Sequence, residues 1–230
     1  DALPICVTFY RGLELFNNLA YNSAIDFFNL SLEHGSYSRE FNARALYWKA
    51  EALYRVGDYE RSVSAYNQFL RTAGAFSLSE YEDADYNLAY AYFKMDDYEK
   101  AANHFRKYIN SAEGKRTEKL ADAYNRVGDY YFLNSNYNLA LQNYQMTYEM
   151  KTYESDYALF QLAMIQGLQR TLQAKINNLE RLQAEFPESE YLDDALYELG
   201  RALERVGQNY EAAQRYNTII ENHPQSNYHR

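Results

Sequence analysis

Residues with reactive side chains are few in this chain and lie far apart. Cys6 is its single cysteine, so no disulfide can form within the chain, and no histidine lies near it in sequence. The four histidines, His34, His104, His223 and His229, include no pair at the spacing of metal ligands. The sequence also has no phosphate-binding loop, glycine-rich nucleotide fingerprint or nucleophile elbow. These observations predict a protein without catalysis, metal or cofactor.

Paired carboxylates are the remaining groups that could do acid–base chemistry. Examples are Glu82-Asp83 and Asp193-Asp194. Each pair lies where a helix is predicted to begin, and the positive end of the helix dipole favours carboxylates there. Solvated helix starts explain these pairs better than general acid–base catalysis does, so we expect the chain not to be an enzyme.

The composition is that of a folded helical protein with an acidic surface. Hydrophobic residues make up 47% of the 230 residues, while only 9 are glycine and 3 are proline, which favours long helices over many short strands. The net charge of −9 disfavours nucleic acid, which binds through lysine and arginine. The longest uncharged apolar stretch, from Tyr157 to Gln169, is shorter than the roughly 20 residues that span a membrane. We expect neither a nucleic-acid partner nor a transmembrane segment.

Three columns of residues recur through the chain in one register. The first column holds a small residue every 35–39 positions: Gly12, Ala50, Ala89, Gly128, Ala163 and Gly200. The second column follows twelve residues later and is small in five of six cases: Ala24, Ser62, Ala101, Ala140, Lys175 and Ala212. The third column follows four residues after that and is large and apolar or aromatic: Phe28, Tyr66, Phe105, Tyr144, Leu179 and Tyr216. Repetition at this period predicts a helical repeat protein.

Helix packing explains why the columns hold small and large residues. Two antiparallel helices approach closely only where one side chain is small, and a large side chain one turn away fills the groove beside it. Each repeat is therefore predicted to be a hairpin of two helices joined by a short turn. The six repeats are predicted near residues 5–37, 43–75, 82–112, 121–152, 156–189 and 193–226, as a single all-α solenoid domain.

The turns inside the hairpins carry their own signals. Four of them read Gly57-Asp58-Tyr59, Asp96-Asp97-Tyr98, Asn134-Ser135-Asn136-Tyr137 and Gly207-Gln208-Asn209-Tyr210. We expect glycine or asparagine to supply the left-handed residue that ends the first helix, and aspartate, serine or asparagine to cap the second. The tyrosine is expected to pack beside the turn and fix the angle at which the second helix starts.

The end of the chain repeats a signal that opens another helix. Phe186-Pro187-Glu188-Ser189 and His223-Pro224-Gln225-Ser226 lie 37 residues apart, and in each the proline stops a helix while the serine can cap the next. Because no helix follows the second copy, we expect the native protein to continue past Arg230 as a longer repeat protein. An uncapped last helix would leave Ile219 and Ile220 exposed and would allow a homodimer through this end.

The repeat columns resemble those of the tetratricopeptide repeat. The sixth unit carries the likeness most fully, in residues 194–207, 210–216 and 224–226. It is similar to the extended variety of bacterial envelope proteins such as the Tol-Pal-associated periplasmic repeat protein and the outer-membrane assembly repeat lipoprotein. The resemblance implies a right-handed superhelical solenoid of about twelve helices that acts as a protein interaction scaffold or adaptor. It also implies a periplasmic or outer-membrane-associated location, with the cytoplasm as the alternative. Lys175 departs from the pattern, because it stands in a column of small residues.

The first helices of such a solenoid line its concave face, where partners bind. Helical spacing puts an aromatic strip on this face, flanked by Glu51, Asp83, Asp122 and Asp129. The candidate groove residues are Tyr47, Glu51, Tyr54, Tyr86, Tyr90, Phe93, Asp129, Phe132, Phe160 and Tyr197. We expect the rings to give contact area at low entropy cost, and the acidic rim to select a basic or polar peptide or protein segment. The alternative is that these rings only pack neighbouring first helices together.

Further hypotheses about the partner follow from the same residues. Repeat proteins that bind acidic chaperone tails resemble one another in Lys, Arg and Asn at groove positions that are Glu51, Tyr90, Asp122 and Asp129 here, so such a tail is not expected. Stacking of sugars on exposed tyrosines or on Trp48 would instead make the groove a glycan-binding surface of an envelope sugar-capture system. A third hypothesis is that the chain is the oligomerisation module of a larger protein.

Overall fold

The computed structural model describes residues 5–33, 38–112, 114–115, 117–152 and 154–228. Over these ranges the chain forms twelve α-helices and no β-strand. The helices are α1 (Ile5–Asn17), α2 (Tyr21–Glu33), α3 (Arg39–Arg55), α4 (Tyr59–Arg71), α5 (Tyr81–Lys94), α6 (Tyr98–Ser111), α7 (Glu118–Leu133), α8 (Tyr137–Met150), α9 (Ser155–Leu168), α10 (Leu172–Glu185), α11 (Leu192–Arg205) and α12 (Asn209–Asn222). The predicted all-α fold of about six hairpins is confirmed. His34 and His229 lie outside the described residues.

The helices group into two compact units. Unit 1 is Asp1–Gly114 and contains α1 to α6, and unit 2 is Lys115–Arg230 and contains α7 to α12. Consecutive helices pair into three hairpins in each unit, and each hairpin overlaps one of the predicted repeat ranges. Each unit has its own hydrophobic core. Within the described part of the chain, no helix combines the length and the apolar character needed to pass through a bilayer.

The two helices of a hairpin meet at the predicted small residues. At Gly128 on α7, an added Cβ would lie 2.7 Å from Cε1 of Tyr144 on α8, so only glycine fits without a shift of the ring. The other two glycines of the column are equally close to a ring. An added Cβ would lie 2.6 Å from the ring of Phe28 at Gly12 and 2.5 Å from the ring of Tyr216 at Gly200. Ser62 of the second column donates a hydrogen bond of 2.9 Å to the carbonyl of Ala50 in the first. The predicted packing of small residues against large ones is confirmed.

The turns match the prediction at two glycines and differ elsewhere. Gly57 and Gly207 have φ angles of 84° and 81°, as expected for residues that end a helix in the left-handed conformation. In the third and fourth hairpins this conformation falls on Asp96 and Ser135, with φ of 58° and 57°. Aspartate tolerates this region because its short polar side chain can bond locally. The expectation that only glycine or asparagine supplies this residue is wrong.

The second helices begin at polar caps in three hairpins. The carboxylates of Asp58 and Asp97 each accept the backbone N–H three residues later, both at 3.2 Å, and Asn136 accepts that of Leu139 at 3.5 Å. The prediction that an asparagine caps the second helix is wrong for α12. Asn209 is already the first residue of that helix, and Gln208 before it makes no capping bond with its side chain.

An aromatic pair bridges the turn in the first four hairpins. The tyrosine after the turn, which was predicted in the second, third and fourth hairpins and recurs as Tyr21 in the first, contacts a ring near the end of the first helix. The pairs and their centroid distances are Phe16–Tyr21 at 5.3 Å, Tyr54–Tyr59 at 5.5 Å, Phe93–Tyr98 at 5.3 Å and Phe132–Tyr137 at 6.0 Å. The first position of the pair is Gly167 in the fifth hairpin and Glu204 in the sixth, so the pair is missing there. Tyr210 of the sixth turn is 74% exposed, so the expectation that it packs beside the turn is wrong.

The last helix is covered on one side. Ile219 is only 1% exposed, so the expectation that it lies on the surface is wrong, whereas Ile220 is 50% exposed. The two residues are neighbours on a helix and therefore point in different directions, and Ile219 is the one that faces the protein. The homodimer through this end stays a prediction.

Candidate functional site

The first helices α3 and α5 of unit 1 touch and leave a small cleft between them. We call it the α3–α5 cleft, and it is lined by Glu51, Tyr54, Arg55, Tyr66, Asn87 and Tyr90. Four of these residues belong to the predicted groove or to the third repeat column. The cleft encloses about 90 Å³, so it is a shallow contact surface rather than a chamber for a substrate.

A hydrogen-bonded carboxylate holds the floor of this cleft. Glu51 on α3 accepts a bond from the hydroxyl of Tyr66 on α4 and another, of 2.6 Å, from Nδ2 of Asn87 on α5. Burial, followed by the charge of Glu51, raises the pKa of Tyr66 well above its usual range, so the hydroxyl keeps its proton and remains a donor. The carboxylate predicted to form an acidic rim thus ties three helices together.

A row of aromatic side chains continues from the cleft along α5. The ring of Tyr90 lies 5.2 Å from that of Tyr86 and 6.3 Å from that of Phe93, and all three side chains are partly exposed. Tyr90 also packs edge-on against the buried ring of Phe105 at 5.1 Å. The row is therefore held from behind while one side faces solvent. Together with Tyr54 it is the exposed part of the predicted aromatic strip in unit 1.

Tyr47 is placed in the core instead of on this surface. It is 6% exposed, and its ring lies 5.3 Å from that of Phe69. Burial, followed by the charges of Glu51, Asp83 and Glu80, raises the pKa of its hydroxyl, which accepts a 2.9 Å bond from Asn87. For this residue, packing between helices describes the observed role.

Unit 2 also contains a carboxylate that, like Glu51, accepts hydrogen bonds from side chains of two other helices. Asp129 on α7 accepts hydrogen bonds at Oδ1 from the hydroxyls of Tyr144 (2.7 Å) and Tyr157 (2.6 Å). Its Oδ2 accepts from Nη1 of Arg126 at 2.7 Å. Arg126 also contacts Asp122, so the two predicted acidic residues share one cation. Burial, followed by the charge of Asp129, raises the pKa of Tyr144 and of Tyr157, which keeps both hydroxyls as donors.

A larger cleft of unit 2 lies between α9 and α11. We call it the α9–α11 cleft, and it encloses about 390 Å³. Phe132, Met164 and Leu172 supply part of its apolar lining, and Arg201 and Arg205 contribute charged side chains. Of the ten predicted groove residues, only Phe132 lies here.

The floor of the α9–α11 cleft is an ion pair that the sequence prediction missed. Nζ of Lys175 on α10 contacts Glu198 on α11, although Lys175 is 8% exposed. The lysine reaches it by passing Gly167, where an added Cβ would lie 3.1 Å from Cδ of Lys175. The departure at Lys175 was visible in the sequence. The missing ring at Gly167, in a column that is aromatic in the first four repeats, was the signal that could have revealed the cleft.

Phe160 and Tyr197 do not join either cleft. Tyr191 stacks on Phe160 at 5.7 Å, and Tyr228 stacks on Tyr197 at 4.0 Å. The two stacks are equivalent because Tyr191 and Tyr228 each follow the proline–serine signal by the same number of residues. These two groove candidates are therefore partly covered by the segments between and after the hairpins.

Two of the residues considered for chemistry or for sugar binding, His104 and Trp48, have structural partners. His104 lies 2.7 Å from Asp85 and stacks on Tyr92 at 5.4 Å. Trp48 is half-buried, packs edge-on against Phe16 at 5.2 Å and donates its ring N–H to Glu80 at 3.3 Å. Over the described ranges, no three or more His, Cys, Asp or Glu side chains are grouped to hold a metal ion.

The sequence matches a known repeat family over most of its hairpins. The tetratricopeptide repeat model matches residues 44–73, 83–114, 157–189 and 194–226, which together make up more than half of the chain. The chain belongs to the tetratricopeptide repeat family. Proteins of this family generally act as non-catalytic scaffolds for protein–protein interaction, which agrees with the interaction role expected from the sequence. No curated protein matches the chain in sequence at a significant level.

Several solved structures share this fold at low sequence identity. YrrB, described as a TPR protein with an unusual peptide-binding site, is 19% identical with a TM-score of 0.65, over 87% of this chain and 94% of that chain. The C-terminal part of a TPR protein from Cytophaga hutchinsonii is 17% identical with a TM-score of 0.71, and the match covers 93% of this chain and 78% of that chain. MamA is 18% identical with a TM-score of 0.62, and the match covers 76% of this chain and 95% of that chain. At these identities the likeness concerns the fold alone.

Proposed function

We propose that this tetratricopeptide repeat protein binds a peptide or an extended protein segment along α3 and α5, as a scaffold that catalyses no reaction. The observation that carries the proposal is the partly exposed aromatic row Tyr86, Tyr90 and Phe93 beside the α3–α5 cleft. Aromatic side chains give large contact area while losing few rotatable bonds, which is why they dominate binding surfaces. The peptide-binding site named for YrrB supports the same class of partner.

Rigidity is the second support for the proposal. Tyr90 is backed by Phe105, and Glu51 fixes Tyr66 and Asn87 with hydrogen bonds. A surface that is already ordered before binding loses little entropy when a partner docks. The net charge of −9 favours a basic or polar segment at this surface.

An envelope location is part of the proposal, and the likeness of the sixth repeat to envelope proteins is its support. Fractionation of the native cells tests it. Recovery of the protein with the cytoplasmic fraction alone would reject this part and leave the binding site unaffected.

Selection from a random peptide library tests the proposed site. We expect the selected peptides to bind the wild-type protein and to lose at least about tenfold in affinity for a variant with Tyr54→Ala, Tyr90→Ala and Phe93→Ala. Phe76→Ala is the matched control, because Phe76 is 75% exposed on a turn of unit 1 and does not line the cleft. Circular dichroism must show equal helicity in all three proteins. Unchanged affinity in the triple variant, or selection of no peptide at all, would reject the proposal.

A further inference from the structure

We infer that the α9–α11 cleft binds an acidic protein segment that carries one large apolar side chain. The apolar side chain enters the cleft, and the neighbouring carboxylates of the segment meet Arg201 and Arg205. This inference rests on the proposed binding function and adds a second surface, of opposite charge preference, in unit 2.

The cleft exists because the fifth hairpin departs from the repeat at two linked positions. In the third and fourth hairpins, the residues equivalent to Gly167 and Lys175 are the pairs Phe93/Ala101 and Phe132/Ala140. Removal of the ring at Gly167 leaves open space, and the long side chain of Lys175 passes through part of it. A lysine that is 8% exposed on a second helix is costly unless it is paired, and Glu198 supplies the partner.

The lining of the cleft suits an apolar side chain. Phe132, Met164 and Leu172 contribute apolar surface, and Leu168 at its edge is 56% exposed. A volume of about 390 Å³ falls within the roughly 300–1,000 Å³ of clefts that hold small ligands, so one large side chain fits. Burial of an apolar side chain here would also cover the exposed Leu168.

The charges of the cleft favour an acidic segment. Three cations, Lys175, Arg201 and Arg205, line it together with a single carboxylate, Glu198. Glu198 already contacts Lys175 and, at 3.2 Å, Nη1 of Arg201. Arg205 forms no ion pair with any residue of the described part of the chain. Positive charge is thus in excess at this point of a chain whose net charge is −9, and carboxylates of a partner would balance it.

Three synthetic peptides with capped ends test the inference on the full chain. Each has one central phenylalanine, and the flanking residues are aspartates, asparagines or lysines. The peptides are compared on the variant with Tyr54→Ala, Tyr90→Ala and Phe93→Ala, which lacks the proposed α3–α5 surface. There we expect the aspartate peptide to bind at least about tenfold more tightly than the asparagine peptide in fluorescence anisotropy, with affinity falling as salt is added, and the lysine peptide not to bind. Equal affinities of the three peptides, or no binding of the aspartate peptide at millimolar concentration, would overturn the inference.

Two sets of variants locate the binding. Arg205→Gln is expected to lower the affinity for the aspartate peptide about fivefold. Lys94→Gln removes a charge at the equivalent position of the third repeat and should leave this affinity unchanged. The double variant Gly167→Phe with Lys175→Ala restores the pattern of the third and fourth hairpins and fills the cleft, so binding should fall at least about tenfold with helicity retained. If that variant does not fold, the comparison of Arg205→Gln with Lys94→Gln decides alone, and equal affinities in those two variants would overturn the inference.

The outcome separates this inference from the proposed function. The variant Tyr54→Ala, Tyr90→Ala and Phe93→Ala should bind the aspartate peptide as the wild-type protein does. Failure of the aspartate peptide, combined with library peptides that still depend on the α3–α5 cleft, would reject the second surface and leave the first one standing.

Discussion

Replacement of Gly128 by leucine is expected to lower the free energy of unfolding of unit 2 by about 3 kcal/mol. A Cβ at this position would lie 2.7 Å from the ring of Tyr144. The ring cannot move aside without loss, because it is fully buried and its hydroxyl is bonded to Asp129. Leucine would therefore push α7 and α8 apart where they cross most closely. Urea unfolding followed by far-ultraviolet circular dichroism measures the loss.

Gly167→Leu is the matched control for this experiment. The three atoms nearest to a Cβ at Gly167 all belong to the flexible side chain of Lys175, the closest at 3.1 Å, beside the open α9–α11 cleft. We expect a change of less than about 1 kcal/mol, since leucine also has the better helix propensity. If both glycine variants lost the same free energy of unfolding, the close approach of α7 and α8 at Gly128 would not explain why the column holds small residues.

Replacement of Asp129 by leucine is expected to cost about 2–3 kcal/mol of the free energy of unfolding. The change leaves the hydroxyls of Tyr144 and Tyr157 without their acceptor and removes a partner of Arg126. The carboxylate bonds three helices together, so its loss should also loosen the contact between the fourth and fifth hairpins. Thermal and urea unfolding both report this change.

The variants Tyr144→Phe and Tyr157→Phe separate the hydrogen bonds from the rings. Each keeps its ring and loses one hydroxyl, so each should cost about 0.5–1.5 kcal/mol in the wild-type protein. In the Asp129→Leu background the same changes should cost nothing or should stabilise, because the hydroxyls there lack this acceptor. Equal costs in both backgrounds would show that the Asp129 bonds do not stabilise the fold.

The hairpins and their crossing points could be predicted because they depend on residue size at fixed spacing. The contacts of Gly128 with Tyr144 and of Ser62 with Ala50 follow from the repeat columns alone. Turn details were less predictable, since Ser135 took a conformation that glycine or asparagine was expected to adopt. Once a helix pair is fixed by packing, several residue types can be forced into the left-handed position that its turn requires.

The sites were harder to predict than the fold, because they depend on which side chains meet across different helices. Glu51 has the type and spacing of a groove residue, but the hydroxyl of Tyr66 and the amide of Asn87 turn it into a structural acceptor. Tyr47 lies on the same helix one turn earlier, and neighbouring rings cover it. The α9–α11 cleft arises from the absence of a ring at Gly167, and a search for residues that are present does not find it.

Hydrogen exchange with a bound peptide tests the central claim most directly, namely that the first helices of the hairpins carry the binding surface. A peptide selected from the library should slow amide exchange in α3 and α5 and leave α4 and α6 unchanged. Slower exchange confined to α4 and α6 would place the partner on the second helices and contradict the account.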